Sequence, residues 1–166
     1  MTATTAINTP AWLAAALLDL GQRETGGQNR SPWIVAMWAR QNLSWLLGKP
    51  WCGGAMRRWV EACGLQPPAE AYRAKSWATW GQACGLVRGA VLVFDRQGGQ
   101  HVGILHSIGA DGRLNVLGGN QRDSVSLLPF GRDRLIATRW PLGVAVPLDE
   151  APTIAASTAA SSVNEA

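Results

Sequence analysis

The 166-residue sequence contains few lysines and no dense run of positive charge. Its only lysines are Lys49 and Lys75, and the arginines are scattered along the chain. The formal net charge of +4 suits association with an anionic polymer, but no local pattern indicates binding to DNA or RNA. We therefore expect no nucleic acid among the partners of this protein.

Cysteine is also scarce, and its spacing is uninformative about metals. The three cysteines are Cys52, Cys63 and Cys84, and no two of them have the spacing of a zinc-binding motif. We expect neither a metal nor another cofactor. The odd number favours free thiols, although a bridge between Cys63 and Cys84 stays open if the protein is exported.

The sequence lacks a long uninterrupted apolar segment. The apolar stretch at residues 10–20 contains Asp19 and has no basic region ahead of it. It therefore has the pattern of neither a signal peptide nor a transmembrane span. We expect the protein to be made in the cytoplasm without a signal peptide and not to insert stably into a membrane.

Length and composition indicate a single globular domain. Hydrophobic residues make up 47% of the chain and charged residues 16%, which is enough apolar material for an ordinary core. We predict one domain over residues 10–146 and expect it to be monomeric. Residues 1–9 are predicted to be a flexible lead. Residues 147–166, rich in Ala, Ser and Thr, are predicted to be a disordered tail.

Helical patterns dominate the first half of the chain, and strand patterns dominate the second. Apolar residues at helical spacing predict helices over residues 10–20, 31–40 and 52–63, and a short helix within residues 69–80. Short apolar runs between glycine-containing turns predict strands at residues 90–94, 101–108, 113–117, 124–128 and 135–140. Helices followed by a small antiparallel sheet predict an α+β fold.

Cys52 is the first candidate for chemistry, because it lies where a connecting loop becomes a helix. The positive end of a helix dipole lowers the pKa of a thiol and favours the nucleophilic thiolate. Gly53 and Gly54 follow it and leave room for a substrate backbone. The alternative is that Cys52 is a small buried hydrophobe, as most free cysteines are.

The chain has only two histidines, so a nucleophilic Cys52 would use one of them as its base. His101 opens a predicted strand directly after a glycine-rich turn. His106 is five residues further along the same strand and is expected to point to the opposite face. We therefore predict that His101 is the base and that His106 has a packing or surface role.

A hairpin with its turn at Ala110–Asp111 would bring a third polar residue to this place. In that register His101 lies opposite Asn120, with the two Cβ atoms about 5 Å apart. Asn120 would then accept the imidazole N–H and fix its tautomer, as in a Cys-His-Asn triad. A register slip of one residue would instead bring Gly119 or Gln121 opposite His101.

Six segments in this order resemble the small phage and prophage cell-wall hydrolases of the CHAP and NlpC-type group. They are Pro-Trp-Cys-Gly-Gly-Ala at 50–55 with Trp59, Ala-Lys-Ser-Trp at 74–77, residues 89–94, His-Val-Gly at 101–103, Val-Leu-Gly-Gly-Asn-Gln at 116–121 and Arg-Trp-Pro at 139–141. The resemblance runs from about residue 10 to residue 141. Members of this group are papain-like cysteine amidases and endopeptidases.

The resemblance implies a papain-like fold and a peptidoglycan hydrolase that cleaves an amide bond, as an endolysin does. It implies Cys52 as nucleophile, His101 as base and Asn120 as the orienting residue. This chain departs from the CHAP pattern in one respect, because Gly118 stands where a CHAP-type Glu would fall. The bond that is cut, at the sugar–peptide link or within the stem peptide, stays open.

Substrate contacts are expected from residues beside the nucleophile. Trp51, Gly53, Trp77 and Trp80 are candidates to line the substrate groove, although each tryptophan has a structural role as its alternative. Arginines at 57 and 58 are candidates to bind a substrate carboxylate, against the simpler interpretation of a solvated helix face.

The implied partner is bacterial peptidoglycan, in the periplasm or outside the cell. Without an export signal, the enzyme would need a holin, a secretion machine or a virion to reach the wall. Three other interpretations stay open: a secreted antibacterial toxin with the same activity and an immunity protein, a non-catalytic wall-binding or virion module, and a cytosolic thiol hydrolase acting on ordinary peptides.

Overall fold

The computed structural model describes residues 8–155, in which helices precede an antiparallel sheet. The predicted α+β class is therefore confirmed. Within these residues the α-helices are α1 (Ala11–Leu18), α2 (Pro32–Arg40) and α3 (Cys52–Glu61). Short 3-10 helices cover Ser44–Leu46, Ala74–Thr79 and Arg132–Arg134, and the second of these lies in the segment predicted to hold a short helix.

One seven-stranded sheet follows the helices in the described part of the chain. Its strands are β1 (Gln82–Ala83), β2 (Val91–Arg96), β3 (Gly99–Gly109), β4 (Leu114–Gln121), β5 (Ser124–Phe130), β6 (Leu135–Trp140) and β7 (Thr153–Ile154). The strand order is β1-β6-β2-β3-β4-β5, with antiparallel neighbours throughout. Strand β7 pairs with β3 in parallel.

The start of α2 follows directly from its sequence. Ser31 caps the helix, because its hydroxyl accepts a hydrogen bond from the Ile34 N–H at 3.3 Å. Pro32 follows in the first turn, where a missing N–H has no cost. The helix buries Ile34, Met37 and Trp38, which are spaced to share one face.

Helix α3 packs its apolar face against α1 and α2 and its first turn against the sheet. Ala55, which is fully buried, lies against Gly119 of β4. A Cβ on Gly119 would come within 2.6 Å of the Ala55 Cβ and 2.8 Å of the Trp51 ring. This glycine therefore sets how closely the start of α3 can approach β4.

Two short strands were not predicted, and one of them changes the end of the domain. Residues 153–154 form β7 within the segment predicted to be a disordered tail, so that prediction is wrong for them. Backbone hydrogen bonds from Ile108 to Pro152 and from Ala110 to Ile154 attach this strand to β3. The rest of the predicted tail from residue 156, and residues 1–7 of the predicted lead, lie outside the described residues.

No helix within residues 8–155 is both long enough and apolar enough to cross a bilayer. The same part of the chain contains no group of three His, Cys, Asp or Glu side chains placed to hold a metal ion. All three cysteines are free thiols, so the bridge left open between Cys63 and Cys84 is absent from this structure.

Candidate functional site

Cys52 is the first residue of α3, as the sequence predicted. The residue before it, Trp51, is the N-cap but makes no side-chain cap hydrogen bond. The first N–H groups of the helix are therefore not satisfied by a cap and remain available at the thiol. The Cys52 side chain is nearly buried, with 5% of its surface exposed.

Burial and hydrogen-bond donors act on the Cys52 thiol in opposite directions. Removal from water raises the pKa of the thiol, and this is the largest effect. The backbone N–H of Val102 lowers the pKa, as do the positive charge of Arg96 and the N–H groups of Gly53 and Cys52 itself. The thiol is thus protonated at rest, but it lies among donors that stabilise negative charge.

The Val102 N–H places the thiol beside the chain segment that carries His101. His101 lies near the start of β3, where it pairs across the ladder with Phe94 of β2. Its ring stacks on Phe130 of β5, with ring centroids 5.4 Å apart and an angle of 7° between the planes. Only 1% of its surface is exposed, so the imidazole is held firmly on the sheet.

Gln121 fixes the orientation and tautomer of His101. Its amide nitrogen donates to the carbonyl of Val116 at 3.1 Å and to that of Ser126 at 2.8 Å. The amide oxygen therefore points at Nε2 of His101, which is 2.9 Å away. Because this oxygen can only accept, Nε2 carries the proton and Nδ1 has the free lone pair of a base.

His101 is a neutral base in this environment. Burial, which is the largest effect, and the charges of Arg96 and Arg134 together lower its pKa to about 4, while the hydrogen bond that Nε2 donates to Gln121 opposes them. Within residues 8–155, Nδ1 makes no hydrogen bond. The imidazole is thus unprotonated at neutral pH, with its basic nitrogen unoccupied by any described residue.

The predicted register between β3 and β4 is correct for the two pairs nearest His101, and it is shifted by one residue closer to the turn. Ile104 lies opposite Leu117 and Leu105 lies opposite Val116, as the predicted hairpin requires. The ladder ends there, three residues before it would reach His101. The expected pairing of His101 with Asn120 therefore does not form.

Beyond that point β4 bulges, and the bulge changes which side chain reaches the imidazole. Its register with β5 shifts between Gly118 and Gln121, and Asn120 has a left-handed backbone with a φ of 58°. This conformation turns Gln121 toward the imidazole in place of Asn120. The prediction that Asn120 orients His101 is therefore corrected to Gln121, although the two β3–β4 pairs nearest His101 keep the predicted register.

The Gln121 amide occupies space that Gly118 leaves empty. A Cβ at position 118 would lie 3.0 Å from Nε2 of His101 and would overlap the Gln121 oxygen, at 2.3 Å. Without a side chain, Gly118 leaves this space beside Nε2 open. The side chain of Gln121, three residues further along β4, places its amide oxygen there.

The tryptophans predicted to line a groove are core residues in this structure. Trp51 and Trp77 have no exposed surface, and Trp80 has 8%. Their indole N–H groups are satisfied by Glu24, the Ala71 carbonyl and the Gln66 carbonyl, respectively. The structural alternative considered for each of them is the one that fits this burial.

Gly53 is in tight contact, not open space. A Cβ there would lie 2.3 Å from the backbone oxygen of Tyr72, so no larger residue fits without a backbone shift. Tyr72 forms an edge-on pair with Trp45, which is 67% exposed. Aromatic surface thus lies near the start of α3, but it comes from residues that the sequence did not single out.

Glu24 is a further residue that sequence reasoning missed. One carboxylate oxygen accepts from the Trp51 indole at 2.8 Å, and the other accepts from the Asn29 backbone N–H at 2.7 Å. Trp51 also packs edge-on against Trp33. The loop between α1 and α2 is thereby attached to the residue that precedes Cys52.

The two arginines of α3 do not serve the site. Arg57 pairs with Glu61 at 2.7 Å on the exposed side of the helix, and Arg58 pairs with Asp19 at 2.9 Å. The arginine whose charge reaches both Cys52 and His101 is instead Arg96, at the end of β2. Nothing in the sequence around Arg96 distinguishes it from the other scattered arginines.

The arrangement as a whole suits acyl transfer. It provides a thiol at a helix start, donors that stabilise an anion there, and an oriented neutral imidazole. Comparisons with protein-family models, curated proteins and solved structures gave no significant match for this chain.

Proposed function

We propose that this chain is a papain-like cysteine hydrolase that cleaves an amide bond of bacterial peptidoglycan. The observation that carries the chemistry is the Gln121–His101 contact, which leaves Nδ1 as the base at a thiol-bearing helix start. The substrate is inferred from the resemblance of the Pro-Trp-Cys, His-Val-Gly and Leu-Gly-Gly-Asn-Gln segments to the CHAP and NlpC-type cell-wall hydrolases.

In the first half of the reaction, Nδ1 of His101 takes the proton of Cys52 as Sγ attacks the amide carbonyl carbon. A carbon–sulfur bond forms, and the carbonyl oxygen becomes an oxyanion. Backbone N–H groups at the start of α3, including that of Cys52, stabilise this oxyanion. The imidazolium then donates its proton to the leaving nitrogen, and the carbon–nitrogen bond breaks.

In the second half, water hydrolyses the thioester. His101 takes a proton from the attacking water, and Cys52 leaves as the thiol once that proton is returned to it. Throughout both halves Gln121 accepts from Nε2, so the ring keeps one tautomer and one orientation. The same nitrogen, Nδ1, therefore acts as the base in both halves.

This mechanism starts from a neutral pair of thiol and imidazole. Burial raises the pKa of Cys52, and burial together with two arginine charges lowers that of His101 to about 4. Both effects oppose a stable thiolate–imidazolium ion pair before substrate binds. His101 therefore acts as a general base during attack.

The test is hydrolysis of purified peptidoglycan by the full chain and by Cys52→Ala. We expect wild type to clear the suspension and to release free amino groups without new reducing sugar ends. The rate of peptidoglycan hydrolysis by Cys52→Ala should be lower than that of wild type by a factor of more than about a thousand. The variant should keep the circular dichroism spectrum and melting temperature of wild type. Mass spectrometry of the released fragments identifies the bond that is cut.

Two matched variants control for loss of any thiol. Cys63→Ala and Cys84→Ala remove the other two cysteines, and both should clear peptidoglycan at nearly the wild-type rate. Clearing by a folded Cys52→Ala protein would refute the proposal. Release of reducing sugar ends without amino groups would refute it as well, because that product indicates glycosidic cleavage.

A further inference from the structure

Arg96 lies on the same face of the sheet as the proposed base. It is the last residue of β2, two positions after Phe94, and side chains two residues apart on a strand share a face. Phe94 is the cross-strand partner of His101, so all three side chains are on one face. The positive charge of Arg96 acts on both Cys52 and His101.

The Arg96 guanidinium has no anionic partner among the described residues. Its Nε is buried and makes no hydrogen bond within residues 8–155. The neighbouring Asp95 is exposed and, by strand alternation, points to the other face. Four other arginines do have carboxylate partners, in the pairs Arg57–Glu61, Arg58–Asp19, Arg73–Glu70 and Arg113–Asp111.

A second guanidinium adds to the positive potential at this place. The Arg134 guanidinium carbon is 5.9 Å from the centroid of the Phe130 ring, which stacks on His101. No carboxylate contributes to the shift of the His101 pKa, whereas both arginines do. A buried guanidinium donor is costly when unsatisfied, and a carboxylate satisfies it best because the two groups match in geometry and charge.

We propose that Arg96 binds a free carboxylate of the substrate close to the scissile amide. This rests on the proposed function and narrows it to stem-peptide bonds that have a free carboxylate nearby. The bound carboxylate also offsets the positive charge near His101. Proton uptake by the imidazole therefore becomes easier once the correct substrate is in place.

The first experiment measures this without peptidoglycan, by alkylation of Cys52 in the full chain. Iodoacetate and iodoacetamide alkylate a thiol by the same displacement of iodide and are similar in size, but only iodoacetate carries a carboxylate. We expect the iodoacetate-to-iodoacetamide rate ratio at Cys52, read by mass spectrometry, to fall about tenfold in Arg96→Gln. Arg96→Lys should keep an intermediate ratio, because it retains the charge without the planar fork.

Arg113→Gln is the matched control, since Arg113 pairs with Asp111 at the β3–β4 turn and its loss should leave the ratio unchanged. An equal fall in both alkylation rates in Arg96→Gln would overturn the proposal. That result would mean that Arg96 only stabilises the thiolate. An unchanged ratio in a folded Arg96→Gln protein would overturn it too.

The second experiment compares two peptidoglycan fragments that differ only by a carboxylate or a carboxamide beside the cleaved bond. We expect wild type to prefer the carboxylate in kcat/KM, and Arg96→Gln to lose most of that preference. Cleavage of both fragments at equal rates by wild type would reject the role of Arg96 while leaving the hydrolase intact. Cleavage of either fragment by Cys52→Ala would reject the proposed cysteine hydrolase. The iodoacetate-to-iodoacetamide ratio would still test whether Arg96 binds a carboxylate.

Discussion

The side-chain oxygen of Gln121 accepts a hydrogen bond from Nε2 of His101 across 2.9 Å. The amide that provides this oxygen is held by two backbone carbonyls, those of Val116 and Ser126. The imidazole is therefore oriented by a group whose own orientation is fixed by the backbone of β4 and β5. In this site the positioning of the base depends on the bulge at the end of β4.

Gln121→Ala should reduce hydrolysis more than any change at Asn120. The substitution leaves the imidazole free to turn, so we expect kcat/KM to fall about a hundredfold. Gln121→Glu should keep an acceptor for Nε2 but place a negative charge beside the ring. The pKa of His101 would then rise, and the lower limb of the pH–rate profile should move to higher pH.

Asn120→Gly is the control for this prediction. Glycine accepts the left-handed backbone at position 120 without strain, whereas alanine does not. We expect Asn120→Gly to retain activity within about tenfold of wild type. A larger loss in Asn120→Gly than in Gln121→Ala, measured as kcat/KM on the same fragments, would return the orienting role to Asn120.

Gly118→Ala should impair catalysis while leaving the side chains of Cys52, His101 and Gln121 chemically unchanged. The added methyl group would overlap the Gln121 amide oxygen and displace it from His101. We expect kcat/KM to fall at least about tenfold. Gly85→Ala is the matched control because a Cβ there meets no atom within 4 Å. Equal activity of the two alanine variants would contradict the steric argument.

The stability of the fold should depend on pH through His101. In the unfolded chain the imidazole binds a proton below about pH 6.5, but in the folded protein it does so only below about pH 4. Between these values the unfolded state binds more protons, so stability is fully present above pH 6.5 and is lost as pH falls toward 4. The expected loss is about 3 kcal/mol in the free energy of unfolding.

Urea denaturation at pH 4.5, 5.5 and 7.0 measures this dependence. His101→Gln cannot titrate, so its free energy of unfolding should change much less over the same range. His106→Gln is the comparison, because burial also lowers the pKa of His106 but it is only partly buried. If wild type and His101→Gln lose stability in parallel, the titration of His101 is not the cause.

Glu24→Ala should destabilise the protein although position 24 is far in sequence from the site. It removes the acceptors of the Trp51 indole and the Asn29 N–H, which should cost about 1–3 kcal/mol. Glu24→Gln keeps one side-chain oxygen and should cost less. Glu61→Ala, which breaks an exposed pair with Arg57, should change the free energy of unfolding by under about 1 kcal/mol in the same urea titration.

The elements that the sequence predicted well are those with local signals. Helix α2 begins where Ser31 and Pro32 predict it, because a cap and a first-turn proline act on the residues next to them. The strands from β2 to β6 also lie where short apolar runs stand between turns. Strands β1 and β7 have two residues each, and so short a strand has no periodicity to detect.

The candidate site was predictable only in part, for the same reason. Cys52 at a helix start and His101 at a strand start follow from local patterns. The change from Asn120 to Gln121 depends on the bulge in β4, whereas the sequence alone indicated Gln121 only through a slip in the β3–β4 pairs nearest His101, which keep the predicted register. The hydrogen bond of Glu24 to Trp51 and the charge of Arg96 at Cys52 and His101 join distant parts of the chain, and no local pattern encodes them.

The space above Gly118 has a consequence for how such a site can change over evolution. A side chain at position 118 and the Gln121 amide oxygen would occupy the same space beside the imidazole, so both do not fit at once. Substitution of Gly118 by glutamate would create a steric clash with Gln121. Loss of the Gln121 side chain alone would remove the acceptor that orients His101. Replacing Gln121 by an orienting side chain at position 118 would therefore require two substitutions together, because each of them alone is expected to impair the site.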